Sequence, residues 1–307
     1  MKQQTHSKIR NKKSCQPKEE EISQQHAQLL NELPRSDSLF GECLYLYQGF
    51  WLCSDPLLGT MLMQNHFKHR STDIFLASSM KTGTTWLRSL MFTTLNRSCF
   101  DLSDHPLLRM GPHECFPVLD LYKPEDYAIT NMEALLPSPR LFATHFPHKL
   151  LPSSITDPSS GCKFVYVCRD PKDVLVSMWH FLHNLRPKEL PPLSFDQVFE
   201  RFCEGVTVYG SYWDHVLGFW EATFESPDKI LFFKYEEIKR DPEAHVKKLA
   251  EFMGVPISVQ EEEDGMVKKI VEFCSLEHLK GLEINKTGTY RANNGYELPN
   301  QSFFPVR

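Results

Sequence analysis

Closely spaced cysteine pairs are missing from this chain. Its nine cysteines, at positions 15, 43, 53, 99, 115, 162, 168, 203 and 274, are odd in number, widely spread, and form no C-x-x-C. That pattern fits a reduced intracellular compartment in which thiols act as small core side chains. His66 with His69, and His180 with His183, are close in sequence, but neither pair has a cysteine or a second pair at ligand spacing. No metal is expected. No apolar stretch reaches the length of a membrane span or a signal-peptide core, so the expected location is cytoplasmic with no membrane partner. Positive charge is not in excess either. The formal net charge of -5 argues against a nucleic-acid partner or an anionic-membrane surface. No Gly/Ser- or Pro-rich linker divides the middle of the chain, and no repeat or low-complexity tract is present. Its 307 residues, 41% hydrophobic, therefore suffice for one large domain with a substantial core.

Residues 1–35 are polar and aperiodic, with Lys2, Lys8, Arg10, Lys12 and Lys13 preceding the first acidic residue, Glu19. They read as a disordered tail carrying at most a short helix near 20–32, ahead of one domain over 36–307. Ordered structure is expected from about Leu44. Beyond that point, short apolar runs alternate with helical patterns. Ile74–Ala77 precedes Trp86, Leu87, Leu90, Met91 and Thr94 at helical spacing. Phe164–Cys168 leads into Asp170 and Pro171, a good N-cap and first helical residue, with Asp173 in the first turn. Ile230–Phe233 precedes a helix over 242–253 that stops before Gly254, and Leu141–Thr144 is a fourth strand. Strands alternating with helices predict an α/β fold, a parallel sheet with helices on both faces and ligands beyond the carboxyl ends of its strands.

The first strand runs into Ser79-Met80-Lys81-Thr82-Gly83-Thr84-Thr85-Trp86. A polar turn with one glycine at a helix start offers backbone amides, hydroxyls and the helix dipole to an anion, and Lys81 adds a full charge. A Walker A loop would place its lysine at the helix end of the turn, after the glycine. Here Lys81 precedes Gly83, which disfavours the alternative of a nucleoside kinase.

Lys81-Thr82-Gly83-Thr84-Thr85-Trp86 resembles the 5′-phosphosulfate loop of the cytosolic sulfotransferases. Thr144-His145, Val167 to Asp173, Ser177-Met178-Trp179 and Lys234-Tyr235-Glu236 resemble further blocks of that family, in order. The segment from Tyr209-Gly210 to Trp220-Glu221 is most similar to the plant soluble branch, and the likeness covers roughly residues 44–304. The resemblance implies a P-loop-like nucleotide-binding sulfotransferase fold. It implies transfer of a sulfuryl group from 3′-phosphoadenosine 5′-phosphosulfate (PAPS) to a hydroxyl of a small organic acceptor, leaving 3′-phosphoadenosine 5′-phosphate, without a metal. His145 would then be the general base and Lys81 the cation at the leaving phosphate. Thr82, Gly83, Thr84 and Thr85 would hold the 5′ end, Arg169 and Ser177 the 3′-phosphate, and Trp86 and Tyr235 the adenine. A monomer or weak homodimer is expected. Tyr45–Leu52, Phe146–His148 and Phe181–Leu190 are candidate acceptor-lining segments, with Phe50 and Trp51 suggesting an apolar pocket.

Two departures qualify the likeness. Met80 stands where relatives have a proline that stiffens entry to the loop. After Phe303-Phe304 the family's Arg-Lys-Gly segment is replaced by Pro305-Val306-Arg307. The expectation is a C-terminally truncated form with weaker nucleotide binding, and the alternative is a catalytically impaired remnant that keeps the fold.

Overall fold

The computed structural model describes residues 16–39, 41–121, 136–291 and 297–304. Regular structure begins earlier in the chain than its polar composition suggests. Helix α1 (Gln16–Glu32) and strand β1 (Arg35–Asp37) lie where a disordered tail was expected. Residues 1–15 lie outside the described residues, as do the C-terminal Pro305-Val306-Arg307. The short helix expected near 20–32 is real and four residues longer. Ile22, Leu29 and Leu30 pack its inner side on the main core, and the His26 ring meets Ser54 O at 3.0 Å. Strand β1 pairs antiparallel with β2 (Cys43–Tyr47), which pairs with β3 (Phe50–Leu52). Helix α2 (Ser54–His66) follows.

The central sheet has four parallel strands: β4 (Ile74–Ser78), β5 (Leu141–Thr144), β6 (Lys163–Cys168) and β7 (Ile230–Lys234), in the order β5-β4-β6-β7. Side chains alternate between its faces. Ile74, Leu76, Val165, Val167, Leu231 and Phe233 point into one core, and Phe75, Ala77, Phe142, Phe164, Tyr166 and Ile230 into the other. Both faces are covered, which is why the strands read as unbroken apolar runs. Phe75 stacks on Phe142 at 5.5 Å and on Phe164 at 5.0 Å, locking three strands together.

Helix α3 (Thr84–Asn96) follows β4, α4 (Pro171–Leu185) follows β6, and α5 (Phe195–Cys203) and α6 (Tyr212–Glu225) lead to β7. After β7 come α7 (Tyr235–Arg240), α8 (Pro242–Phe252) and α9 (Met266–Phe273). Helices α3, α8 and α9 cover one face, and α2 and α6 the other. The α4 cap is as the sequence predicts: Asp170 accepts Lys172 N–H at 2.9 Å, with Pro171 at the first helical position. A small two-stranded sheet, β8 (Thr289–Arg291) with β9 (Glu297–Pro299), lies near the C-terminus. Among the described residues no helix is long and apolar enough to cross a membrane.

Candidate active site

The carboxyl ends of the parallel strands converge on one another. From β4, Ser78 leads into the loop; from β5 comes His145; from β6, Arg169; from β7, Tyr235. Lys81 holds a positive φ of 67° and Gly83, the N-cap of α3, a φ of 113°. Glycine is needed at 83 for a second reason. A Cβ there would lie 2.6 Å from Cδ2 of Tyr235, so the ring packs directly on the loop backbone. The first intrahelical bond of α3 runs from Leu87 N–H to Gly83 O. The amides of Thr84, Thr85 and Trp86 therefore lie in the first turn, where helix geometry leaves N–H groups open to an anion. Thr82 donates its hydroxyl to Ser79 O at 2.8 Å, and the Thr84 and Ser78 hydroxyls meet at 2.7 Å.

Two cations, Lys81 and Arg169, stand at this loop. Lys81 is pushed down to about 8, first by burial and then by the nearby Arg169 guanidinium. Its Nζ lies 4.2 Å from the centre of the Phe181 ring, which joins the Phe181–Leu190 segment to the site. Arg169 lies 4.7 Å from the centre of the Tyr235 ring and reaches Lys81 O at 3.5 Å, and its ion pair is with Asp173, which is largely solvent-exposed. Trp86 meets the Tyr235 ring edge-on at 5.6 Å. Arg169 Nε and Trp86 Nε1 are buried without hydrogen-bond partners. Unpaired buried donors beside two cations and a helix N-terminus are the chemistry a polyanionic aromatic nucleotide satisfies. Ser177 is half-buried on α4, one turn beyond Asp173, and no hydrogen bond among the described residues ties it to the loop.

His145 is held on three sides. Its Nδ1 lies 2.8 Å from Ser78 O. A carbonyl only accepts, so Nδ1 carries the proton and Nε2 keeps its lone pair in the neutral ring. Its backbone N–H donates to Asp120 Oδ2 at 2.7 Å, and the neighbouring Thr144 hydroxyl donates to Asp120 Oδ1 at 2.6 Å. Asp120 is fully buried, which pushes its carboxyl upward, opposed by the His145 charge and these hydrogen bonds. The Tyr209 ring sits 5.5 Å from that of His145. Asp120, Tyr209, Tyr212 and His215 were not legible as site residues. The available signal was a polar side chain on an apolar periodic face, as at His215 between Tyr212 and Phe219. Phe50 is buried, and a Cβ on Gly210 would lie 2.5 Å from its ring.

Comparison with known proteins decides what this strand-end constellation belongs to. The profile described as "Sulfotransferase domain" matches residues 71–305. The chain belongs to the sulfotransferase family. This sulfotransferase is 42% identical to cytosolic sulfotransferase 13 of Arabidopsis thaliana over 288 residues, 93% of this chain and 85% of that protein. It is equally identical, 42% over 263 residues, to flavonol 3-sulfotransferase of Flaveria bidentis, covering 85% of this chain and 82% of that one. Its fold superposes with a TM-score of 0.70 on an Arabidopsis thaliana crystal structure described as a candidate steroid sulphotransferase. The two are 39% identical, with 85% of this chain and 88% of that one covered. A mouse sulfotransferase complexed with PAP, the desulfated nucleotide, superposes with a TM-score of 0.59 at 26% identity, covering 77% and 76%. The sulfotransferase is thus an enzyme of the plant-like cytosolic type, with the α/β fold that its sequence blocks implied.

Proposed function

We propose that this sulfotransferase moves a sulfuryl group from PAPS to a hydroxyl of a small organic acceptor, with His145 as general base and Lys81 at the leaving phosphate. The observation that carries the reading is the His145 ring, fixed through Nδ1 on the carbonyl of Ser78, where β4 turns into the loop bearing Lys81. PAPS supplies a sulfuryl group on a phosphate leaving oxygen. Thr82, Gly83, Thr84 and Thr85 offer amides and hydroxyls to its 5′ end. Arg169, with its unpaired Nε, and Ser177 serve the 3′-phosphate, and Trp86 and Tyr235 form the aromatic wall for the adenine.

As the acceptor oxygen bonds to sulfur, its proton passes to His145 Nε2, while the S–O bond to the nucleotide breaks. Charge then builds on the phosphate oxygen, where the Lys81 ammonium opposes it in a desolvated setting. Sulfuryl transfer of this loose kind needs positioning and charge more than covalent help, and no metal is invoked. The named flavonol activity of one relative makes phenolic acceptors the first class to screen. A cytoplasmic location accords with the name of the Arabidopsis relative, a cytosolic sulfotransferase.

The test is calorimetric binding of 3′-phosphoadenosine 5′-phosphate to the wild-type chain, Lys81→Ala/Arg169→Ala and His145→Ala. The expected result is micromolar binding that the double variant loses and His145→Ala keeps. With a phenolic acceptor, His145→Ala should lower turnover by about 100-fold or more. A folded wild-type chain that binds no nucleotide refutes the reading.

A further inference from the structure

Arg169 and His145 leave different strands, yet their main chains are tied to successive turns of one helix. The Tyr212 hydroxyl, on the first turn of α6, donates to Arg169 O and accepts from Arg169 N–H at 3.2 Å. One turn further on, His215 Nε2 lies 2.9 Å from His145 O, and its Nδ1 lies 2.8 Å from the Tyr166 hydroxyl. A carbonyl only accepts, so Nε2 is the protonated nitrogen and Nδ1 accepts from Tyr166 O–H. The imidazole is 1% exposed and packs flat against the Tyr166 and Phe219 rings. Burial favours its neutral form, pulling it down to about 4. Both contacts are made to backbone atoms, where they set the origin and direction of the side chains that follow. A supporting shell that slips by an ångström misplaces the groups it holds.

We propose that Tyr212 and His215 are positioning residues, Tyr212 for Arg169 at the nucleotide and His215 for the base His145. The proposal rests on the roles assigned to Arg169 and His145 above. It predicts a separation of effects along one helix face: losing the Tyr212 hydroxyl loosens nucleotide binding, and losing the His215 donor impairs the base.

The experiment compares Tyr212→Phe, His215→Phe and His215→Gln with Arg169→Ala and His145→Ala as references. Affinity for 3′-phosphoadenosine 5′-phosphate is measured by calorimetry. The His145 ring is followed by nitrogen NMR, which needs no acceptor, and turnover is followed with 4-nitrophenol. Tyr212→Phe, which removes both contacts to the Arg169 main chain, should weaken nucleotide binding about fivefold and leave the His145 ring signals unchanged. His215→Phe should keep the affinity within twofold, shift His145 away from its Nδ1–H form and lower turnover about tenfold or more. His215→Gln, whose amide nitrogen can donate where Nε2 does, should restore both. Should Phe at 215 prevent folding, Tyr166→Phe replaces it, with the same loss expected. Unchanged His145 signals in His215→Phe, unchanged nucleotide affinity in Tyr212→Phe, or parallel changes of both readouts in every variant would overturn the proposal. If Arg169→Ala binds nucleotide normally, or His145→Ala turns over normally, the site assignment itself has failed, and the positioning roles with it.

Discussion

Lys81 carries its ammonium into a setting of aromatic rings and a second cation, and that placement has a measurable consequence. Its ordinary pKa of 10.5 falls to about 8 in the free enzyme because burial and Arg169 both disfavour its charge. A bound nucleotide phosphate restores the preference for the charged form. Binding should therefore take up about half a proton at pH 8 and close to one at pH 9, and affinity should fall as pH rises above about 8. Calorimetry in two buffers of different ionisation heat reads the uptake directly, and Lys81→Met should abolish it. At this scale legibility divides by the kind of contact a residue makes. Lys81 and His145 were legible because they sit in contiguous motifs. Asp120 was not, since it is a single acidic residue between Leu119 and Leu121 whose partners, Thr144 and His145, come from another segment. Tyr212 and His215 escaped for the same reason: they act on main-chain atoms, which leave no mark on the identity of the residue they hold.

The parallel sheet is pinned at the end opposite the site. Arg140, just before β5, grips Asp73, just before β4, through two hydrogen bonds of 2.6 and 2.7 Å, and both side chains are buried. Removing one partner of a buried pair strands the other's charge. Asp73→Asn should cost about 3–5 kcal/mol in a denaturant titration, with nucleotide affinity little changed in the protein that remains folded. The strands themselves were easy to find in the sequence, because two buried faces make them continuously apolar. Their order was not, for nothing within Ile74–Ser78 or Lys163–Cys168 marks these two as the strands with neighbours on both sides. Helix α1 misled in the other direction. Its surface is largely polar, and the few apolar residues that dock it, among them Ile22, Leu29 and Leu30, gain their meaning only from the core they meet.

Across the whole molecule, buried neutral histidines set an acid limit on stability. His215 and His105 are both drawn down to about 4 by burial, and His113 lies well below its ordinary 6.5. The unfolded chain binds protons at these rings from about pH 6.5 downward, and the folded chain does not. Stability should therefore fall as pH drops from about 6.5 towards 4, at roughly 1.4 kcal/mol per pKa unit of displacement for each fully buried ring. Thermal melts across that range check this, and His215→Gln should flatten part of the slope.

The strand order carries a final consequence. Lys81 follows β4, an inner strand, while Tyr235, whose ring packs against Gly83, follows the edge strand β7 roughly 150 residues later. A chain emerging from the ribosome thus exposes the Lys81 loop long before the ring that packs on it exists. If the proposed nucleotide site is right, binding reports completion of the sheet, and a ligand present during synthesis would stabilise only chains that have already docked β7.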